Sequence, residues 1–587
     1  MRKQTKLVAV LSTAALLAIG ASMTSFAAQG WAEEDGTWVY YDKNGDKVTE
    51  SWKKSGDNWY WLDDNGEMAV DTLIEDDDNT YYVNENGAMV TNQWVAVENE
   101  DAGEEDEPDY YWYYFQSNGK AFKRGENAST INAKSINGKK YAFDSDGKML
   151  YGWVNKDGER QTGDDAWKCG DEADVYYFGG EDDGAMRANT WELVSIVDDD
   201  PDAEQPGDEF WGEDQDRWFY FQSSGKRKQA KSGETYTDKT INGKKYGFDR
   251  YGRMVASWYS ADVVTNNKAD VTVSTNSGAV YSTSSNAQGT SKYSSNFMYF
   301  SSPEDGARYT KGWFKVVPGY YLHQGKYEDD SEYWYYADGD GEIYSNVIKR
   351  IKGKKYAFDE YGRMISGLAF IEFATGDETT NIEYKYADDA AGREYDTEDD
   401  YKAFVREFAE MINDGTLRSY YFGGSDDGAM KTGKQTITID GDAFTFKFNT
   451  GSYLKGAGLV GYDDEKIYLA GMQVKADKED KYEVVKVEVT NGKQKITEMS
   501  TQEFLKAVNA TGTRVNAKDD FVTYQFNDLT PAKTIKEALT DATGHHEYYF
   551  LVNSSGTVIK NKTNGKDGDD YKYTVKNYVI DKVVLDD

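Results

Sequence analysis

The chain contains very little cysteine and histidine for its 587 residues, and each shortage excludes a class of protein. Cys169 is the single cysteine, so no disulfide within the chain can stabilise the fold. Histidine occurs only as His323, His545 and His546, which leaves few side chains for general-base catalysis or a metal centre. We therefore expect a protein that is not an enzyme and that has no resident metal or cofactor.

Positively charged residues are also scarce: the chain has 67 lysines and arginines but 104 aspartates and glutamates. The formal net charge of −37 repels nucleic acid and anionic lipid, so we expect neither as a partner. The same charge favours ligands that are cationic or neutral.

Long apolar runs are absent after residue 27, so we expect no membrane span in the mature chain. The first 27 residues have the order of a secretory signal peptide: the cations Arg2, Lys3 and Lys6, an apolar segment from Leu7 to Ile19, and small residues around Phe26. We expect export, and a mature chain that begins at Ala28.

Aromatic residues are abundant, and between Gly30 and Trp94 they recur every 21 residues. A period of this length is typical of a repeat architecture. An Asn-Gly dipeptide follows each aromatic run, and Leu73 takes the place of one tryptophan. The residues on this period are Trp31, Trp52 and Trp94; Trp38 and Trp59; Tyr40, Trp61 and Tyr82; and Asn44-Gly45, Asn65-Gly66 and Asn86-Gly87.

Each repeat predicts a short β-hairpin. Aromatic and β-branched residues suit a pleated surface, and Asn-Gly suits a two-residue turn with positive φ at both positions. A single hairpin is only marginally stable in water, whereas stacked hairpins bury the aromatic faces of their neighbours. We therefore predict an all-β fold, a solenoid of stacked β-hairpin repeats with loop inserts, followed by a C-terminal, mainly β region with short helices.

The repeats become less regular along the chain. The motif Ile136–Tyr141 returns at Ile241–Tyr246 and Ile351–Tyr356, and the pattern of residues changes after residue 472. We divide the chain into a signal peptide (1–27), regular 21-residue hairpin repeats (28–97), an irregular hairpin-repeat solenoid with inserts (98–472) and a C-terminal region of unknown function (473–587). The insert 371–418 is predicted to contain a short amphipathic helix at Asp400–Phe408.

Aromatic side chains converging from neighbouring hairpins can form a cage for a quaternary ammonium group, since each ring face attracts a cation by about 0.5–2 kcal/mol. We predict one cage from Trp31 and Trp38 with Trp59 or Tyr60, and a second from Trp52 and Trp59 with Tyr81 or Tyr82. A third cage would begin at Trp94. The same rings can also stack on neutral sugars, or can serve only to pack the repeats together.

The unit Gly30-Trp31, Trp38–Asp42, Asn44-Gly45, Ser51-Trp52 resembles the choline-binding or cell-wall-binding repeat of Gram-positive surface proteins. That resemblance implies a β-hairpin solenoid that binds teichoic acid choline, or polysaccharide, between adjacent hairpins. It also implies ligand roles for a methionine after each turn, here Met68 and Met89. The predicted ligand-binding residues are Trp31, Trp38, Trp52, Trp59, Tyr60, Tyr82, Met68 and Met89.

Two departures from this pattern are the reason to consider a ligand other than choline. The third unit has Leu73 and Thr80 where the family has tryptophan. The Ile351–Tyr356 type of unit is similar to repeats of glucan-binding domains and clostridial toxin C-terminal regions, which bind carbohydrate. We thus expect a secreted, cell-wall-associated, non-enzymatic protein. The alternatives are an outward-facing carbohydrate-binding adhesin, and a wall-associated enzyme whose catalytic part lies in 473–587 or 371–418.

Overall fold

The computed structural model describes residues 29–586 except 105, 126–127, 129, 170–173, 198–214, 233, 235, 261–270, 274–279, 283–296, 320–321, 374–378, 387–394, 492, 515–520, 533 and 541–542. The predicted signal peptide lies outside the described residues. The chain forms two compact units. The first contains the residues up to Glu192 together with Tyr220–Lys228, and the second contains Leu193–Phe219 and the chain from Gln229 onward.

The first unit is built from antiparallel two-stranded hairpins, as the aromatic repeats predict. Each strand forms its two-stranded sheet with a neighbour in the chain. A 3₁₀ turn, Ala166–Lys168, lies between the last two strands. The strands are β1 Gly30–Glu34, β2 Thr37–Tyr41, β3 Ser51–Ser55, β4 Asn58–Leu62, β5 Thr72–Asp76, β6 Asn79–Val83, β7 Gln93–Glu98, β8 Tyr110–Phe115, β9 Lys134–Ile136, β10 Lys139–Tyr141, β11 Trp153–Val154 and β12 Tyr176–Tyr177.

The turn of the first hairpin is Asp35-Gly36, with φ of 50° and 87°, and not Asn44-Gly45. The prediction that Asn-Gly closes each regular hairpin is therefore wrong. In Asn44-Gly45, Asn65-Gly66 and Asn86-Gly87 only the glycine has positive φ, and the dipeptide lies in the loop after the hairpin. The prediction does hold at Asn137-Gly138, where φ is 48° and 82° and the dipeptide joins β9 to β10.

An aspartate or asparagine side chain organises each of these loops. The Oδ1 atom of Asp42 accepts hydrogen bonds from the backbone N–H groups of Asn44 and Asp46, at 2.8 and 3.0 Å. Asp63 and Asn84 bind their own loops in the same way. Such a side chain replaces a missing backbone partner, which is why Asp and Asn favour turns. The loop then returns beside its own hairpin, where Val48 N–H donates to Tyr40 O at 2.9 Å.

Successive hairpins of the first unit contact each other through Met68 and Met89, the methionines that follow the second and third loops. Met68 N–H donates to Trp38 O at 2.7 Å, and Met89 N–H donates to Trp59 O at 2.8 Å. The Met68 side chain then packs against Gly87 of the next loop, and Met89 against Gly119. A Cβ atom at either glycine would lie within 3 Å of the methionine side chain. The missing side chain of glycine thus makes room for the methionine.

The second unit begins with further hairpins. Its first strands are β15 Tyr236–Ile241, β16 Lys244–Asp249, β17 Ser257–Ser260, β18 Val271–Val273, β19 Val280–Ser282, β20 Phe297–Phe300, β21 Gly312–Val316, β22 Tyr333–Ala337, β23 Val347–Ile351 and β24 Lys354–Phe358. The strands β13 Thr190–Ile196 and β14 Gln215–Phe221 contain residues of both units. A short helix, α1 Gln324–Glu328, lies between β21 and β22.

Larger sheets follow, with orders β26-β25-β27, β28-β29-β32-β31-β30, β34-β33-β36 and β35-β39-β38-β37. Their strands are β25 Leu368–Phe373, β26 Ile382–Tyr386, β27 Leu417–Tyr421, β28 Gly433–Ile439, β29 Asp442–Phe448, β30 Gly461–Asp463, β31 Lys466–Leu469, β32 Met472–Gln473, β33 Tyr482–Thr490, β34 Lys493–Met499, β35 Phe521–Gln525, β36 His545–Asn553, β37 Lys562–Lys566, β38 Tyr571–Lys576 and β39 Val579–Asp586. The helices are α2 Glu398–Glu407, α3 Ala409–Asp414, α4 Thr501–Ala507 and α5 Ile535–Leu539.

One apolar core joins the first three of these sheets with α2, α3 and α5, whereas the sheet β35-β39-β38-β37 and helix α4 pack in a second core. Phe404 of α2, Phe446 of β29 and Val487 of β33 are all buried in the first core, so the 371–418 insert and the C-terminal region pack together. The amphipathic helix predicted at Asp400–Phe408 is confirmed as α2. The fold is mostly β with many hairpins, as predicted, whereas the solenoid arrangement and the domain boundaries stay predictions. Within the described residues, no helix is long and apolar enough to cross a membrane.

Candidate functional site

Three aromatic rings from the first two hairpins meet around Trp31, and we name them the first triad. Trp31 of β1 faces Tyr40 across the strand pair, with ring centroids 5.4 Å apart and an interplanar angle of 80°. Tyr60 of the next hairpin approaches the same indole at 5.4 Å and 73°. Edge-to-face rings are the favoured arrangement of aromatic pairs, and they turn ring faces in different directions.

The second triad repeats this arrangement one period later. Trp52 of β3 contacts Trp61 at 5.2 Å and 63°, and Tyr81 of the following hairpin at 5.1 Å and 62°. Ile74 and Met89 belong to the same apolar cluster. Two indoles and one phenol inclined to one another turn ring faces in different directions, and a ring face is what attracts a cation without N–H donors.

The two triads differ in their charged neighbours. In the first triad the ammonium group of Lys53 lies over the Tyr40 ring, 5.5 Å from its centroid. The residue one period later, beside the second triad, is the buried and uncharged Ile74. A cation of the chain itself therefore already lies at the first triad, whereas the second has none at the corresponding position.

The indole N–H groups differ as well. Trp52 Nε1 donates to the Asp76 carboxylate at 3.1 Å, which brings negative charge close to the second triad. Trp31 Nε1 is buried and has no hydrogen-bond partner among the described residues. A cation is attracted by both ring faces and carboxylates, so the second triad offers a cation more favourable partners than the first.

Trp38 and Trp59, both predicted cage residues, lie outside the triads. Neither ring contacts another aromatic ring of the described residues, and Trp59 is 43% exposed. Their positions follow from strand register: Trp38 pairs with Glu33, and Trp59 with Lys54, near the hairpin turns. Their backbone carbonyl groups accept hydrogen bonds from the next hairpin: Trp38 O from Met68 N–H, and Trp59 O from Met89 N–H.

The other predicted residues are divided between the triads and the packing around them. Tyr60 belongs to the first triad, and Met89 lies beside the second. Met68 packs against the Gly87 loop. Tyr82 lies opposite Leu73, contacts Phe115 at 6.1 Å and donates a 2.5 Å hydrogen bond to Asp71. Burial and the Asp71 carboxylate raise the pKa of Tyr82 above its usual range.

Sequence reasoning missed Tyr40 and Trp61, and it named Tyr82 among the ligand-binding residues where the structure brings Tyr81 to Trp52. The misplaced turn caused the error. A two-residue turn at Asp35-Gly36 sets Trp31 opposite Tyr40, and the corresponding turn in the second hairpin sets Trp52 opposite Trp61. The signal was present in the sequence, because the Asp-Gly dipeptide before the aromatic run also suits a type I′ turn.

A further aromatic cluster surrounds Trp94, the start of the predicted third cage. Trp94 contacts Tyr114 at 5.2 Å and Tyr141 at 4.9 Å, and Phe143 is stacked on it at 5.8 Å. In the second unit Trp313 has the same neighbours in Tyr336, Tyr356 and Phe358. In each cluster the stacked phenylalanine covers one face of the indole.

Two further groups of chemically reactive side chains are the Cys169 thiol and the cluster of Glu488, His545 and Glu547. Burial raises the pKa of the Cys169 thiol, which keeps it protonated and weakly nucleophilic. Glu488, His545 and Glu547 could offer ligand atoms within 4.8 Å of one another. The ammonium group of Lys486 already lies 2.7 Å from Glu547 and 3.3 Å from Glu488.

Comparison with known proteins identifies part of this region. Residues 48–94, which contain the whole second triad, match the family model of the choline-binding repeat. No curated protein matches the chain.

Among solved structures, the modular autolysin LytC of Streptococcus pneumoniae, in complex with a synthetic peptidoglycan ligand, is 16% identical. The alignment covers 59% of this chain and 55%, about half, of LytC, with a TM-score of 0.28. The choline-binding domain of S. pneumoniae CbpL is 21% identical over 39% of this chain and 88% of that domain, with a TM-score of 0.22. Choline binding protein F of the same organism is 18% identical over 58% of this chain and all of that protein, with a TM-score of 0.23.

Proposed function

We propose that this protein, whose residues 48–94 are a choline-binding repeat, is secreted and binds choline groups of cell-wall teichoic acid. The observation that carries the proposal is the second triad, in which Trp52, Trp61 and Tyr81 converge beside Asp76. A trimethylammonium group has no hydrogen-bond donor, so ring faces and nearby negative charge are the partners it can use. The protein would act as a binding protein without catalysis of its own.

The expected affinity for free choline is low. Three rings that contribute about 0.5–2 kcal/mol each amount to a few kcal/mol, and a Kd of 1 mM corresponds to about 4 kcal/mol. A wall polymer carries many choline groups, so binding at more than one cage would raise the overall avidity. Excess free choline should then release the protein from choline-bearing walls.

Calorimetric titration of the full chain with choline tests the proposal. Trp52→Ala should weaken binding at least tenfold, and Trp52→Phe should weaken it less while preserving the packing. Trp59→Ala is the matched control, because Trp59 is a tryptophan of the same repeat outside both triads. Circular dichroism of each variant checks that the fold is intact.

Two results would overturn the assignment. Absence of binding by the wild-type protein at tens of millimolar choline would reject a choline-binding function. An equal loss of affinity in folded Trp52→Ala and Trp59→Ala would reject the second triad as the site. A response to a glucan, abolished by Trp52→Ala, would favour the alternative in which the rings form a sugar platform.

A further inference from the structure

A large groove lies in the second unit, apart from the aromatic repeats. Its volume is about 710 Å³, within the range of about 300–1,000 Å³ that is usual for ligand sites. The end of α3, strand β27 and the chain between Asn449 and Val460 form its walls. We name it the 449–460 groove. Neither the choline-binding repeat nor the triads contribute to it.

The side chain of Tyr453 stands at this groove with 64% of its surface exposed, the highest fraction among the large hydrophobic side chains of the described residues. It makes no ring contact with another described aromatic residue. A single exposed aromatic side chain is common on protein surfaces, so what distinguishes Tyr453 is its position on a groove of ligand-binding size. The ring face is therefore a candidate platform for an apolar ligand surface.

The loop that carries Tyr453 is fixed by its own hydrogen bonds. Gly456 N–H donates to Asn449 O and Asn449 N–H donates to Ala457 O, at 2.9 and 2.8 Å, which closes the loop at its base. Leu454 N–H donates to Ser452 Oγ at 3.2 Å beside the tyrosine. A loop held in this way presents the ring with little loss of entropy on binding.

Polar side chains line the groove, and they offer a ligand both hydrogen-bond acceptors and donors. Asn449 Nδ2 donates to Ala457 O and Gln494 Nε2 donates to Leu539 O, so each amide keeps its oxygen and one further N–H for a ligand. Asp414 uses Oδ1 to accept from Thr416 N–H and keeps Oδ2. Such a mixture of acceptors and donors suits a ligand rich in hydroxyl groups, because a hydroxyl both donates and accepts.

The charges of the lining residues restrict the class of ligand further. Glu372 and Asp414 line the groove, and the lining cation, Arg418, is 9% exposed with its guanidinium 5.4 Å from the centre of the Phe373 ring. Two carboxylates against one buried cation do not favour a phosphate or another anion. A neutral ligand with many hydroxyl groups and an apolar face satisfies every feature of the groove.

We propose that the 449–460 groove binds a neutral oligosaccharide. One sugar ring stacks its C–H face on Tyr453, and hydroxyl groups donate to Asp414, Asn449 and Gln494. This is a second binding activity of the chain, independent of the choline site, and it does not depend on the proposed function.

Titration of the full chain with a panel of neutral gluco-oligosaccharides and chito-oligosaccharides tests this proposal. At least one should bind, and Tyr453→Ala should reduce its affinity at least tenfold, whereas Tyr453→Phe retains the ring and most of the affinity. Phe521→Ala is the matched control, because Phe521 is 45% exposed and does not line the groove. Gln494→Leu, which removes an acceptor, should also weaken binding.

Saturating choline separates the two sites. Oligosaccharide affinity should be unchanged when choline is present, and Trp52→Ala should leave it unaltered. Absence of binding across the panel would overturn the proposal, as would full affinity in Tyr453→Ala. Loss of sugar binding in Trp52→Ala would also overturn it, because the sugar would then occupy the repeats. None of these results affects the choline titration, so the failure of one proposal is distinguishable from the failure of the other.

Discussion

At the scale of single residues, the same Asn-Gly dipeptide has two conformations in this chain. At Asn137-Gly138 both residues have positive φ and close a hairpin, whereas at Asn65-Gly66 only the glycine does. The difference lies in Asp63, whose side chain accepts the N–H groups of Asn65 and Glu67 at 2.9 and 2.8 Å and so fixes the loop. The glycine of this loop is required for a second reason, its close approach to the preceding loop.

Replacement of Gly66 by alanine should destabilise the repeats more than replacement of Gly56. Both glycines have positive φ, 73° and 60°, so each substitution introduces backbone strain of about 1–2 kcal/mol. A Cβ at Gly66 would also lie 2.7 Å from Lys47 Cγ and 3.0 Å from Val48 O, while nothing lies within 4 Å at Gly56. Near-ultraviolet circular dichroism should show the lower melting temperature for Gly66→Ala. Equal melting temperatures would contradict the close approach.

Lys53 should control the number of choline sites. Its ammonium group lies over Tyr40 of the first triad, where it competes with an external cation. Lys53→Ile reproduces the second triad, in which Ile74 holds the corresponding position, and it should raise the stoichiometry of choline binding by one. Lys54→Ile is the control, since Lys54 pairs with Trp59 and makes no such ring contact among the described residues. Unchanged stoichiometry in a folded Lys53→Ile protein would show that the lysine does not limit the first triad.

At the scale of elements, strands β33 and β34 bring together two half-buried carboxylates. Burial and the neighbouring Glu498 raise the pKa of Glu483 to about 8. The other charged groups that act on Glu483 are Lys402, Asp477 and Arg406. Lys402 forms an ion pair with Glu398, whose carboxylate lies 2.9 Å from the ammonium group. The strand pair therefore favours a protonated Glu483.

The second unit should lose stability as the pH rises towards about 8. Because the folded pKa of Glu483 lies above its ordinary value of 4.5, the protonated carboxyl stabilises the fold fully at low pH, and this contribution is lost as the pH passes the folded pKa. Glu483→Gln keeps a neutral side chain, so its free energy of unfolding relative to wild type should increase between about pH 5 and 9. Urea unfolding at each pH measures this difference.

Glu547→Gln provides the opposite control for that experiment. The hydrogen bond from Lys486 lowers the pKa of Glu547, so its charged form stabilises the fold at neutral and alkaline pH. This substitution should therefore bring no gain in stability at pH 9. A parallel pH profile for Glu483→Gln and wild type would show that Glu483 is already charged in the folded protein.

At the scale of the whole molecule, the net charge of −37 acts on every ligand. It attracts a cation such as choline and leaves a neutral sugar unaffected. The attraction acts over a distance that salt controls, since the Debye length falls from about 30 Å at 0.01 M to about 3 Å at 1 M ionic strength. The two proposed ligands should thus respond differently to salt.

Choline affinity of the full chain should fall a few-fold between about 0.01 and 1 M sodium chloride, because screening removes the long-range attraction. Affinity for the neutral oligosaccharide should change much less over the same range, and it serves as the control in the same protein. Calorimetry at several salt concentrations gives both values. A choline affinity independent of salt would show that the ring faces and Asp76 alone provide the binding energy.

The sequence by itself determined the hairpin repeats, the mostly β composition and helix α2. These follow from local periodicity: aromatic residues recur every 21 positions, and apolar residues of α2 recur at helical spacing. The proposal that the repeats bind a cation also starts from the sequence, because it depends on residue type and net charge. The sequence also shows Leu73 in place of a tryptophan of the repeat. In the structure Tyr82 accordingly lies opposite Leu73 and has no tryptophan partner across the strand pair.

Only the tertiary structure decided which rings meet. A shift of turn by a few residues changes every cross-strand pair, so Trp38 and Trp59 fall outside the triads while Tyr40 and Trp61 fall inside. The role of Met68 and Met89 against the glycines of the next loops depends on contacts between hairpins, which no local pattern contains. The 449–460 groove draws on residues from Glu372 to Gln494, and separations of that length are set by packing and not by sequence periodicity.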